Sequence, residues 1–117
     1  GFVAKLVCQL QNHFGCVAAD LLVHAGPGIH RKSYVVPEVT QRADPAWQSY
    51  LTDLPSGETM VDIISYNVDQ LAGAGVPQQH ISVDPTDTAP STAYFSHYRS
   101  VRTGEPEGRF ATILALA

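Results

Sequence analysis

Only two stretches of this chain hold a helical period over three turns or more, and turn residues cut the rest into short pieces. Residues 1–14 place Phe2, Val3, Leu6, Val7, Leu10 and Phe14 on a 3.6-residue repeat, which predicts an amphipathic helix. Gly15 can take the left-handed conformation that stops it. The second stretch, Met60 to Ala74, repeats through Met60, Ile63, Ile64, Asn67, Val68 and Leu71. Gly75 is its expected stop, with Pro77 just beyond.

Nine glycines and eight prolines punctuate the remainder, so strands must be short. Leu21, Leu22 and Val23 form an apolar run that predicts a buried strand, broken by Ala25-Gly-Pro-Gly28. Ser33 to Val36 predicts a second strand, ended by Pro37. Asp44 is the expected cap of a short helical turn begun by Pro45, with Trp47 and Leu51 as its apolar anchors. Pro55-Ser-Gly57 is a loop, Ile81–Val83 a short strand, and residues 84–92 a loop. Tyr94 to Tyr98 reads as extended, and Phe110 to Leu116 as a closing strand. Helices and strands in this order predict an α+β layered fold, not a regular βαβ array.

At 117 residues there is room for one core. Charged residues make up 15%, well below the ~25% usual for soluble domains, so part of the surface is not built to face water. Net charge is −4 and Lys and Arg do not cluster, which excludes nucleic acid and anionic membrane as partners. Apolar runs fall far short of the ~18 residues that span a bilayer. Cys8 and Cys16 do not make a disulfide framework, and both are expected as small buried hydrophobes in a reducing, cytoplasmic compartment. Residue 1 is Gly and opens directly into a helix, so the polypeptide is expected to begin upstream.

Chemistry-bearing residues are sparse. His24 and His30 flank the Gly-Pro-Gly turn, but no third ligand accompanies them. His13 and His80 are expected at the surface, and His97 sits beside Ser96, Tyr98 and Arg99. Ser33, Ser96 and Asp87 could be assembled into a triad, but no Gly-x-Ser-x-Gly elbow supports one. Gly26-Pro-Gly28 is a tight turn, since no Gly-Lys-Ser/Thr follows it as in a phosphate loop. Asp62 and Asp69 share a helix face as solvated carboxylates. The densest polar cluster is Tyr94-Phe-Ser-His-Tyr-Arg-Ser100, followed by Arg102 and Gly104-Glu-Pro-Glu-Gly-Arg109. Its three arginines suit bidentate phosphate or carboxylate recognition, or structural ion pairs.

These pieces resemble one family. Gly26-Pro27 followed by Ile29 and then Ser33-Tyr-Val-Val36 is similar to its Gly-Pro-x-Ile and Cys-Tyr-x-Val pattern. Val61-Asp-Ile63, Asn67, Gln70-Leu71 and Ala74-Gly-Val-Pro77 resemble its Leu-Asp-Leu, Asn, Gln-Leu and Ala-Gly-Val-Pro helix. Phe95-Ser-His-Tyr-Arg99, then Gly108-Arg109, resembles its Phe-Phe-Ser-Tyr-Arg-Arg and Thr-Gly-Arg ending. The family is the YfiH-type laccase-domain family, also called polyphenol oxidase or purine nucleoside phosphorylase-like. The resemblance runs along nearly all of residues 1–117, as a single domain or the C-terminal part of one.

It implies an α/β/β/α layered sandwich, present whole or in part, with a pocket between layers. It implies phosphorolysis or deamination of purine nucleosides, or oxidation of phenols, with one zinc or copper held by two His and one Cys. Those ligands lie in an N-terminal half, so none is carried over and no metal is expected on this chain alone. Ser33 stands where the family pattern has Cys, and Pro85-Thr-Asp-Thr88 where many members have Cys-Thr. Tyr34, Asn67, Ser96, Arg99 and Arg109 match motif positions and are the candidate substrate- or anion-binding residues. Nucleoside and phosphate are the implied ligands, and a homodimer or an N-terminal half the implied complement. The alternative is a degenerate, non-catalytic binding or interaction module; a small hydrolase using Ser96 or His97 ranks last.

Overall fold

The computed structural model describes residues 1–115. Helix α1 spans Phe2–Phe14, and Gly15 stops it at φ 66°. A 3-10 turn at Ala18–Asp20 leads into strand β1, Val23–Ala25. The predicted strand at residues 21–23 is therefore displaced: the turn consumes the chain before it, and Leu22 stands 67% exposed. Register comes from strand β5, Ile81–Val83, which pairs in parallel with β1 through Val23 and Ile81.

A second sheet holds β2 (Val35–Val36), β3 (Leu51–Asp53) and β4 (Thr59–Val61), antiparallel in the order β2-β4-β3. Ser33 and Tyr34 fall outside β2, because both N–H groups turn back to the His30 carbonyl. The β3–β4 hairpin turns at Gly57, whose φ of 85° suits a residue without Cβ. Its N–H donates to the Leu54 carbonyl at 2.9 Å. Arg42 seals the hairpin by donating to the Asp53 carboxylate and, at 2.7 Å, to the buried Thr59 hydroxyl.

Helix α2 spans Ile63–Gly73 and starts three residues later than periodicity predicts. Met60 is paired on both sides, to Val35 and to Thr52, so its backbone belongs to the central strand. Asp62 then caps the helix, accepting the Ser65 N–H at 3.0 Å. Asp44 caps the 3-10 turn Pro45–Tyr50 as expected, accepting the Ala46 N–H at 2.9 Å. Trp47 of that turn stacks on Tyr66 of α2 at 3.6 Å between ring centroids.

Two further expectations are overturned. Residues 94–98 are not a strand: Ser96 caps a third helix, α3 (His97–Thr103), which Gly104 ends at φ 74°. Phe110–Ala115 forms no strand, because no described strand pairs with it and Ile113 stands 87% exposed; Leu116 lies outside the described residues.

The principal core lies between α1, α2 and the parallel strand pair. Val7, Ala18, Leu71 and Val76 are buried there, with Val3, Leu21, Val23 and Ile81 packed against them. Cys8 departs from its expected burial, since it sits on the exposed side of α1; Cys16 is half-buried. The chain exposes 7790 Å², against about 6200 Å² for a compact monomer of this mass. Among the exposed apolar side chains are Phe2, Phe14, Val101 and Leu114. No described helix is long and apolar enough to cross a membrane.

Candidate functional site

The loop from Gly26 to Tyr34 and the segment from Asp84 to Arg109 face each other, and neither carries a fully buried apolar side chain. Hydrogen bonds join them. The Gly28 N–H donates to the Thr86 carbonyl at 3.3 Å, and the Thr88 N–H returns to the Gly28 carbonyl at 3.0 Å. Asp87 completes the seam, accepting the Ser33 hydroxyl at 2.6 Å and the His30 and Ala89 N–H groups at 3.3 and 3.0 Å. Burial pushes the Asp87 carboxyl up, but these hydrogen bonds outweigh it and hold the group below the usual carboxylate range.

Arg99 performs the same service for the downstream loop. Its Nη1 donates to the Thr88, Ala89 and Ser91 carbonyls at 2.8, 3.0 and 2.7 Å. Nη2 donates to the Tyr94 carbonyl at 2.9 Å, and Nε to Glu105 at 2.6 Å. A guanidinium has five N–H donors; Nε, both N–H groups of Nη1 and one of Nη2 are spent on the chain itself.

Between β2, the Gly28 loop and α3 lies a cavity of about 580 Å³. Its lining is mainly apolar, with the rings of Tyr34, Phe95, Tyr98 and Phe110 set among Ile29, Val36, Ile63 and Val101. Tyr34 meets Tyr98 edge-on at 5.9 Å and 87°. The Tyr98 hydroxyl donates to the Val35 carbonyl at 2.8 Å. Arg102, one turn along α3, donates to the same carbonyl through Nη2 at 2.6 Å, and its Cζ lies 4.3 Å from the Tyr98 ring centroid. Gly108 closes the wall behind Phe95, since a Cβ there would come within 2.6 Å of the ring.

The five candidate residues are thus separated. Tyr34 and Ser96 line the cavity, although the Ser96 oxygen also accepts the Arg99 N–H at 3.3 Å as helix cap. Arg99 stands behind it as framework. Arg109 is outside the lining, its side chain 80% exposed and donating to Glu107 at 2.7 Å. Asn67 lies within α2, donating to the Ile63 carbonyl at 2.8 Å. Arg102 belongs to the polar cluster already marked by the sequence, and its pairing with Tyr98 is what the fold adds. Their signal was the i, i+4 spacing, legible only once residues 97–103 are read as a helix.

A second cavity, of about 630 Å³, opens at the end of the parallel strands and is lined by His24, His80 and Ser82. The Ser82 hydroxyl lies 3.3 Å from the Val23 carbonyl and 2.8 Å from His24 Nδ1. His80 is not the surface group expected, for its Nδ1 is buried and has no partner among the described residues. The Ser33–Asp87 pair recruits neither Ser96 nor a histidine ring. His97 bonds Glu107 at 3.0 Å, and Arg109 and His97 together hold the Glu107 carboxyl below its ordinary range.

No three His, Cys, Asp or Glu side chains converge among the described residues, so those present do not form a metal centre. Comparison with known proteins places the chain more broadly. The model of a family described as multi-copper polyphenol oxidoreductase laccase matches residues 1–117. Two solved structures are similar. One is the hypothetical protein YfiH of Bacillus licheniformis, at 26% identity and TM-score 0.70. The other is YlmD from Geobacillus stearothermophilus, at 28% identity and TM-score 0.73. Each match covers 85% of this chain and 39% of the solved one, so the chain spans about two-fifths of their length. A search of curated proteins finds no match.

Proposed function

The chain belongs to the multi-copper polyphenol oxidoreductase laccase family, and from that membership we propose that it forms the substrate-binding wall of an enzyme that splits purine nucleosides with phosphate. The observation that carries this reading is the ring-lined cavity between β2 and α3. Tyr34, Phe95, Tyr98 and Phe110 offer flat apolar surface to a planar heterocycle. A cavity of about 580 Å³ is in the range of small-molecule sites.

In phosphorolysis a phosphate oxygen attacks C1′ of the ribose and the glycosidic C–N bond breaks. The bonding pair leaves with the base, which takes up a proton. On this reading the rings bury and orient the base. The Tyr98 hydroxyl is committed to the Val35 carbonyl and holds the wall rather than moving a proton. Tyr34, Thr88 and Ser96 carry the other hydroxyls in the lining. The family's name implies copper, but the described residues do not supply a metal site. Metal-holding residues, on this proposal, come from outside the 117.

The test is base release by the full-length protein from adenosine or inosine plus phosphate. Release that falls at least tenfold in Tyr34→Ala, with KM raised, supports the proposal. Full activity in Tyr34→Ala would show that the ring-lined cavity is not the substrate site. Adenosine binding without any base release would favour the binding-module alternative.

A further inference from the structure

We propose that Arg102 is the specificity-determining residue of the ring-lined cavity, reading an oxyanion that accompanies the planar ligand. This rests on the cavity being the substrate site. Three basic side chains lie near it, and the geometry separates them. Arg99 is spent on four carbonyls and Glu105. His97 lines the cavity but faces Glu107, an anion already paired to Arg109. Arg102 lines the cavity with only Nη2 engaged, on the Val35 carbonyl.

That engagement aims the group and leaves it available. Stacking on Tyr98 and the bond to Val35 fix the guanidinium plane at the cavity rim. Nη1 and Nε make no hydrogen bond among the described residues. A half-exposed Arg held this way is pre-organised, so little side-chain entropy remains to be lost when it meets a ligand oxygen. Glu58 is the competing anion, with Oε1 4.0 Å from the same Nη2, too long for a hydrogen bond. Ring surface beside a fixed planar cation suits a heterocycle with a phosphate. The phosphate can be carried by the ligand, as in a nucleotide, or arrive free as co-substrate.

Calorimetry on the full-length protein separates these sources, with adenosine, adenosine 5′-monophosphate and inorganic phosphate as probes. Arg102→Gln is expected to weaken the monophosphate at least tenfold and adenosine less than twofold, with Arg102→Lys recovering part of the loss. Should free phosphate show the Arg102-dependent loss while the monophosphate gains nothing over adenosine, Arg102 still reads the oxyanion, from the co-substrate. Unchanged binding of both anions to Arg102→Gln overturns the proposal. Failure of adenosine to bind the wild type removes the cavity reading instead, and the free-phosphate arm still decides Arg102. Where Arg102→Gln does not fold, salt dependence on the wild type replaces it: anion affinity must fall with ionic strength while adenosine affinity stays level, and equal behaviour overturns the proposal.

Discussion

Around Val7, Leu71 and Val76 the chain is held by apolar contact, whereas around Asp87 and Arg99 it is held by hydrogen bonds to backbone. The first region is two helices on a parallel strand pair, and its stability grows with area removed from water. The second has no fully buried apolar side chain among the described residues, and Thr88 is its buried residue. It keeps its shape because one carboxylate and one guanidinium satisfy groups that loops leave unpaired. The candidate ligand cavity lies against this second region. Polar lacing lets loops enclose a cavity without filling it, which close apolar packing does not permit.

Substitutions break the two regions differently. Leu71→Ala should have the largest effect, a loss of about 3 kcal/mol from a side chain 7% exposed in the core. Urea unfolding should show it as a lower midpoint with an unchanged slope. Arg99→Ala comes next, at about 2 kcal/mol, because it strands carbonyls of the downstream loop. Its signature should be local: faster amide exchange over residues 86–105 with α1 and α2 still protected. Arg99→Lys should not rescue it, since an ammonium cannot fork to four carbonyls. Equal exchange in both regions would show that they are one cooperative unit.

The smallest effect belongs to acid. The Asp87 carboxyl is held below its ordinary range in the folded chain, so its contribution is complete above the unfolded value. It is lost as pH falls from that value through the lower folded one. Melting temperature between pH 6 and pH 2 should therefore drop less steeply in Asp87→Asn than in wild type. Parallel curves would remove Asp87 from the seam's electrostatics.

The same division explains what could be read in advance. Helix α1 was legible because Phe2 to Phe14 repeat every 3.6 residues and Gly15 stops them. Strand β5 was legible as a short apolar run between turn residues. Met60 misled because a central strand residue fits the helical period of the helix that follows it. Helix α3 was hidden by aromatic residues that favour strands, although Ser96 and Gly104 mark its two ends. Its concealment carried the site with it. Arg99 matched a family motif, but only folding reveals that its partners are the carbonyls of residues 88–94. Tyr34 and Ser96, which match family motif positions, line the cavity, and Arg102, one of the three arginines of the polar cluster, meets Tyr98 only because residues 97–103 are helical.

The central claim is that ligand enters the polar-laced region. Hydrogen exchange of the full-length protein, with and without adenosine and phosphate, tests it most directly. Slowed exchange at residues 27–37 and 95–102, with α1 and α2 unchanged, is the predicted result. Protection confined to α1 and α2, with residues 27–37 and 95–102 unaltered, would contradict it.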